Sequence, residues 1–86
     1  MGSFKIVWKR SAEKELRKLP GETIRQIWDR ISRLSDNPFP SGVKKLVNTG
    51  YVYRIRIGDY RVIYKVDTEM LFVEVVVVGH RRDIYR

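Results

Sequence analysis

Three strand-like runs in the second half of the chain constrain its fold more than any other feature. They cover residues 51–57, 60–66 and 71–78. All three are rich in β-branched and aromatic residues, which favour strands. Gly58-Asp59 and Asp67-Thr68-Glu69 separate them, and such short polar connections are typical of turns. The third run is apolar except for Glu74, which predicts a central strand covered on both faces.

The first half of the chain has one strand pattern followed by two helix patterns. Residues 4–8 alternate apolar and polar, like a strand with one buried face. Ser11 is the predicted N-cap of a helix from about Ala12 to Leu19, which Pro20-Gly21 ends. Residues 22–35 have the apolar spacing of a second helix. The order β-α-α-β-β-β predicts one α+β domain over residues 1–86, with a helical hairpin packed on a mostly antiparallel four-stranded sheet.

Composition limits the kind of protein that this can be. The chain has 86 residues, of which 43% are apolar, and this is enough for one core. Cysteine is absent, which argues against a secreted disulfide scaffold and favours a reducing cytoplasm. No apolar run approaches the roughly 20 residues that span a bilayer. One histidine and no cysteine do not supply converging metal ligands, so we expect no metal and no other cofactor.

The net charge points to an anionic partner. Lysine and arginine number 18 against 10 acidic residues, a formal charge of +8. Such an excess favours nucleic acid, because each neutralised phosphate releases counterions. An acidic protein partner or a merely soluble basic surface fits the same charge. The basic residues of the two helices are expected mainly to face solvent. They are Lys14, Arg17, Lys18, Arg25, Arg30 and Arg33.

The predicted hairpin at Gly58-Asp59 gathers arginines on one face. A two-residue turn places Arg56 opposite Arg61, and Arg54 then shares their face. Arginines directly across a strand pair repel each other. An external phosphate would explain the cluster, because each guanidinium can donate two hydrogen bonds to it. The alternatives are a solvated strand face and pairing with acidic groups from the tail or a partner.

The end of the chain combines arginines with proton carriers. Residues 79–86 read GHRRDIYR and contain the only histidine. Because Val78 is the predicted end of a strand in the same sheet, we expect this tail, with His80, to fold back along the face that carries the arginines. When a 2′-hydroxyl attacks the adjacent phosphate, an enzyme must move two protons and stabilise the pentavalent phosphate. Arginines suit the stabilisation, whereas Tyr85 and His80 are the available proton carriers. Neighbouring cations would lower the pKa of Tyr85 from its ordinary value near 10. In the alternative reading, His80 is an ordinary surface histidine and Tyr85 only pins the tail to the core.

Two segments resemble the RelE toxins of type II toxin–antitoxin systems. They are residues 53–64, YRIRIGDYRVIY, and residues 78–85, VGHRRDIY, with AEKELRKLP at 12–20 in support. The resemblance implies a microbial-RNase fold, metal-independent cleavage of mRNA in the ribosomal A site, and inhibition by a RelB-like antitoxin. It also implies that Arg61 and Arg81 hold the phosphate and the transition state. Tyr85 would be the tyrosine that stacks on or activates the substrate.

The chain departs from the family at Arg54 and Arg56, where lysine is common. A lysine can act as a base when its pKa is lowered, but an arginine effectively cannot. Proton transfer is therefore expected to pass to Tyr85 or His80. Further phosphate contacts are expected from three residues, Lys44, Lys45 and Arg82. Ribosomal RNA is a further expected partner, through the basic residues of the two helices. Two rival functions stay open: a ParE-like toxin that poisons DNA gyrase without cutting RNA, and a non-catalytic nucleic-acid-binding module.

Overall fold

The first and last strands of the fold lie side by side. The computed structural model describes residues 3–46 and 51–80. Its elements are β1 (Lys5–Trp8), α1 (Arg10–Arg17), α2 (Gly21–Arg33), β2 (Lys44–Lys45), β3 (Val52–Ile57), β4 (Tyr60–Asp67) and β5 (Phe72–His80). The strands form one sheet in the order β1-β5-β4-β3-β2, in which only the β1–β5 pair is parallel. The predicted α+β fold with a mostly antiparallel sheet is confirmed.

The sheet has one strand more than the four that we predicted. The additional strand, β2, pairs Lys44 with Arg54 and Lys45 with Tyr53. Two consecutive lysines carry no strand signal, because lysine is depleted in strands and a two-residue segment has no periodicity. Pairing with the edge of β3 is what makes this segment a strand.

The first helix begins at Arg10, earlier than predicted, and its N-cap residue is Lys9. The prediction that Ser11 is the N-cap was therefore wrong. The Lys9 N–H donates to the Val75 carbonyl at 2.9 Å, and the Lys9 carbonyl accepts from the Glu13 N–H at 3.0 Å. Because β5 holds Lys9 in this way, the sheet determines where the helix begins.

The core lies between the helices and one face of the sheet. The largest fully buried side chains are Tyr64, Ile27, Ile31, Leu34, Ile55, Val62, Val73 and Val75. Burying each aliphatic side chain stabilises the fold by about 1.5–3 kcal/mol. The strand β5 is central, as predicted, but Val77 on it is 39% exposed. The prediction that both of its faces are covered was wrong.

Trp8 and Trp28 join α2 to the edge of the sheet. Their rings stack with centroids 5.6 Å apart and planes inclined by 7°. Trp28 is 55% exposed, so the pair covers the side of the core and is not enclosed by it. No helix in the described part of the chain is long and apolar enough to cross a membrane.

Aromatic residues fix the loop between α2 and β2. The Tyr64 hydroxyl donates to the Pro38 carbonyl at 2.7 Å, and the Phe39 N–H donates to Asn37 Oδ1 at 3.0 Å. The Phe39 ring meets the Tyr53 ring edge to face, with centroids 5.0 Å apart. These contacts hold the start of the loop against β3 and β4.

Tyr64 makes stability depend on pH in the alkaline range. Burial, and secondarily the neighbouring Tyr53, raises the pKa of the Tyr64 hydroxyl far above its ordinary value. Above about pH 10 the unfolded chain therefore ionises this tyrosine while the folded chain keeps it protonated. The stabilisation that the folded state gains by keeping Tyr64 protonated is complete below about pH 10. Above that pH, the free energy of unfolding falls by about 1.4 kcal/mol per pH unit.

Urea unfolding between pH 7 and 11 tests this effect. Tyr64→Phe should lower the free energy of unfolding by about 0.5–1.5 kcal/mol at pH 7, because the hydrogen bond to Pro38 is lost. This deficit should shrink above pH 10, since the variant cannot ionise at position 64. Tyr51→Phe, at a tyrosine that is 56% exposed, controls for the loss of one hydroxyl. Parallel pH profiles of wild type and Tyr64→Phe would contradict the account.

Candidate nucleic-acid interface

The β3–β4 hairpin has the register that the sequence predicted. Arg56 pairs with Arg61, and Arg54 pairs with Ile63. Gly58 opens the two-residue turn with φ of +60°, a conformation that glycine adopts without strain. Directly paired residues project to the same face of a sheet. The three arginines therefore share one face, while Ile55 and its neighbours on the opposite face enter the core.

A cleft of about 360 Å³ opens on the arginine face, at the edge of β3. Its lining residues are Arg30, Ser41, Gly42, Lys44, Arg54, Ile55, Arg56 and Arg61. The cations among them come from α2, β2, β3 and β4. No carboxylate side chain is among the described residues that line it. We call this site the cationic cleft.

Burial within the cationic cleft increases toward β4. Lys44 and Arg56 are exposed, Arg30 and Arg54 are half-buried, and Arg61 is only 4% exposed. Arg61 pairs with Gly79 of β5, which has no side chain to project beside it. Charges attract an anion more strongly where water is excluded. The strongest attraction for a phosphate is therefore expected at Arg61, with Arg56 directly opposite it.

Comparison with known proteins assigns the chain to a family. Residues 6–85 match the family model described as the ParE toxin of type II toxin–antitoxin systems, parDE. The chain belongs to the RelE/ParE family of toxins. A putative toxin RelE1 of Methanocaldococcus jannaschii is 30% identical over 76 residues, which cover 85% of this chain and 84% of that protein.

Solved structures agree with this assignment. A chain from the archaeal RelE–RelB complex of Pyrococcus horikoshii has a TM-score of 0.83 and 30% identity, covering 92% of this chain and 96% of that one. The isolated RelE toxin of Escherichia coli has a TM-score of 0.80 and 27% identity, covering 95% and 90%. The resemblance to RelE-type toxins in the sequence is thus confirmed.

His80 lies on the other face of the toxin's sheet. It pairs with Tyr60, and the two rings meet edge to face with centroids 5.5 Å apart. Tyr60 packs against the core, so His80 projects away from the face that carries Arg61. We expected His80 beside the arginines. The difference arises because β5 continues to His80, beyond the predicted end at Val78, and its alternation gives the arginine face to Gly79.

Of the remaining predicted site residues, two lie in the described part of the chain and three lie outside it. Lys44 lines the cationic cleft, but Lys45 pairs with Tyr53 and so projects to the opposite face. Arg81, Arg82 and Tyr85 lie outside the described residues, and their roles stay predictions.

Arg30 is the lining residue that sequence reasoning missed, together with the loop residues Ser41 and Gly42. The sequence contains one signal for Arg30. Arg17 and Arg33 each have a carboxylate four residues earlier and form ion pairs with it, at 3.3 and 3.0 Å. Arg30 has Gln26 and Leu34 at the corresponding positions before and after it. A helical arginine without a partner at this spacing is available for contacts outside its own helix.

Proposed function

We propose that this toxin is a metal-independent endoribonuclease that cuts mRNA in the ribosomal A site, in the cytoplasm. The observation that carries the proposal is the cationic cleft, in which a buried Arg61 lies among four further cationic side chains. A cleft with this lining suits a phosphate better than a neutral ligand, because guanidinium groups bind phosphate through paired hydrogen bonds. The names of the similar toxins are consistent with a RelE-type activity.

The proposed reaction uses the RNA's own nucleophile. The 2′-hydroxyl attacks the adjacent phosphorus, its proton passes to a base, and the 5′-oxygen leaves with a proton from an acid. The fragments carry a cyclic phosphate and a 5′-hydroxyl. Arg61 and Arg56 would stabilise the negative charge that develops on the pentavalent phosphate, and Arg81 would assist them. Arginine stays charged, so the proton transfers are assigned to Tyr85, with His80 as the second candidate.

A RelB-like antitoxin is the proposed inhibitor. Similar toxins have been solved in complexes with RelB, including those from Pyrococcus horikoshii and Escherichia coli. The formal charge of +8 on this chain would attract an acidic partner. Such a partner would silence the nuclease by covering or neutralising the cationic cleft.

Mapping of mRNA ends in cells that express the toxin tests the nuclease directly. Cuts should occur in phase with codons, in translated mRNA only, and should disappear with Arg81→Ala. Growth arrest without any new mRNA ends would contradict the proposed activity.

The second candidate function is inhibition of DNA gyrase, and the family model named for the ParE toxin favours it. Gyrase inhibition predicts trapped gyrase–DNA complexes and intact mRNA. It also gives the cationic cleft no scissile phosphate to bind, so substitution of Arg61 would matter less. Assaying gyrase supercoiling in the presence of the purified toxin, beside the mRNA mapping, separates the two functions. A non-catalytic nucleic-acid-binding module would bind RNA and give neither result.

A further inference from the structure

Arg30 extends the cationic cleft beyond the sheet. It reaches the cleft from α2, whereas the other cations lie on β2, β3 and β4. It also lines a recess with Gln26, Asp29, Ile57 and Gly58, which places it near the turn end of β3. The carboxylate in that recess, Asp29, forms its ion pair with Arg33 at 3.0 Å. Arg30 is half-buried, in contrast to Arg17 and Arg33, whose side chains are 75% and 71% exposed. Its position is therefore that of a cleft residue and not of a solvated helix surface.

The cationic side chains that line the cleft outnumber those needed to bind one phosphate. A phosphodiester carries a single negative charge, and two guanidinium groups satisfy its non-bridging oxygens. The lining contributes five cationic side chains. By sequence, residues 81–86 contain three arginines and one aspartate, so they cannot reverse the sign of this charge.

The cleft is also wide enough for more than one phosphate. Arg61 lies on β4, Arg56 lies on β3, and Lys44 lies on β2. Adjacent strands are separated by about 4.8 Å, so these three positions extend over about 10 Å across the sheet. Neighbouring phosphates of an extended single strand are separated by one sugar, a distance that fits within this width.

We propose that Arg30 forms a second phosphate subsite, which binds the linkage next to the one held by Arg56 and Arg61. The proposal rests on the proposed nuclease function and adds to it the substrate's minimum length. The substrate is then a single-stranded RNA segment with at least two consecutive phosphates in the cleft. Arg30 contributes to substrate binding, and other residues contact the reacting atoms.

Cleavage kinetics on programmed ribosomes test the subsite. Arg30→Gln should raise the toxin concentration needed for half-maximal cleavage by about tenfold or more, since a charge-assisted contact is lost. The rate at saturation should stay near the wild-type rate. Arg33→Gln, one turn along the same helix, is the matched control and should change neither quantity. Wild-type concentration dependence in Arg30→Gln would overturn the proposal.

Replacing single phosphates of the RNA with uncharged methylphosphonates locates the phosphate that Arg30 binds. A methylphosphonate placed on one side of the scissile linkage should weaken wild-type cleavage as much as Arg30→Gln does. The same replacement should cause no further loss in Arg30→Gln. Additive losses on both sides of the scissile linkage would contradict the subsite.

A binding measurement separates failure of the subsite from failure of the nuclease function. The probe is a short single-stranded RNA with 2′-O-methyl groups, which cannot be cut, and its affinity is measured by fluorescence anisotropy. If wild type never cuts mRNA but Arg30→Gln binds this RNA about tenfold more weakly than Arg33→Gln, the subsite stands and the nuclease function fails. Equal affinities of the two variants would overturn the subsite even if wild type cuts mRNA.

Discussion

Replacing Arg61 with glutamine is expected to reduce mRNA cleavage by about 100- to 1000-fold, the loss typical of removing one group that stabilises a transition-state charge. Arg61 is the most buried cation of the cationic cleft and lies directly opposite Arg56. Glutamine retains a hydrogen-bond donor but loses the charge and the second donor of the fork. The measurement is the single-turnover rate on purified ribosomes with a saturating concentration of toxin.

Two controls accompany Arg61→Gln. Arg33→Gln removes one exposed arginine from the helix surface and should leave the rate unchanged. Circular dichroism and thermal unfolding show whether Arg61→Gln keeps its sheet, because Arg61 is buried and its replacement also changes packing. A folded Arg61→Gln toxin that cuts at the wild-type rate would remove the assigned role of the cleft.

Tyr85→Phe is expected to have the second large effect, a loss of about 100- to 10,000-fold, the range that positioned proton transfer contributes. The reason is chemical, since the arginines of the cleft cannot exchange protons at neutral pH. The pH dependence of the residual rate should also flatten, because the proposed proton carrier is gone. Single-turnover rates between pH 6 and 9 measure both effects.

His80→Gln is the comparison for Tyr85→Phe. Because His80 contacts Tyr60 on the face opposite to Arg61, we expect its substitution to cost less than that of Tyr85. A larger loss in His80→Gln would make His80 the principal proton carrier. Rates near wild type in both variants would contradict the assignment of proton transfer to these two residues.

The hairpin at the centre of the site could be predicted from sequence because its information is local. A two-residue turn and a period of two assign every side chain of β3 and β4 to a face, and the pairing of Arg56 with Arg61 follows. The prediction that places His80 beside the arginines is wrong for a different reason, because it assigns His80 to a tail after the strand and not to the strand itself. The sequence did not show that β5 extends beyond Val78, and one misplaced strand end is enough to change which residues reach the arginine face.

Other features could not be predicted, because contacts between distant segments determine them. Lys9 follows β1 and is the N-cap residue of α1 because its N–H donates to the Val75 carbonyl, 66 positions further along the chain by the numbering. The strand β2 exists only because β3 offers it a free edge. Arg30 reaches the cleft only because α2 passes close to that same edge. In each case the local sequence is compatible with several structures, and packing selects one.

The most direct test of the cationic cleft is an NMR titration of the toxin with uncuttable 2′-O-methyl RNA, observing the Nε–Hε signals of arginine side chains. Binding in the cleft predicts shifts for Arg54, Arg56 and Arg61, while the exposed helix residues Arg17 and Arg33 keep their positions. Shifts confined to Arg17 and Arg33, or no shift of any cleft arginine at saturating RNA, would contradict the claim that this cleft binds the RNA backbone.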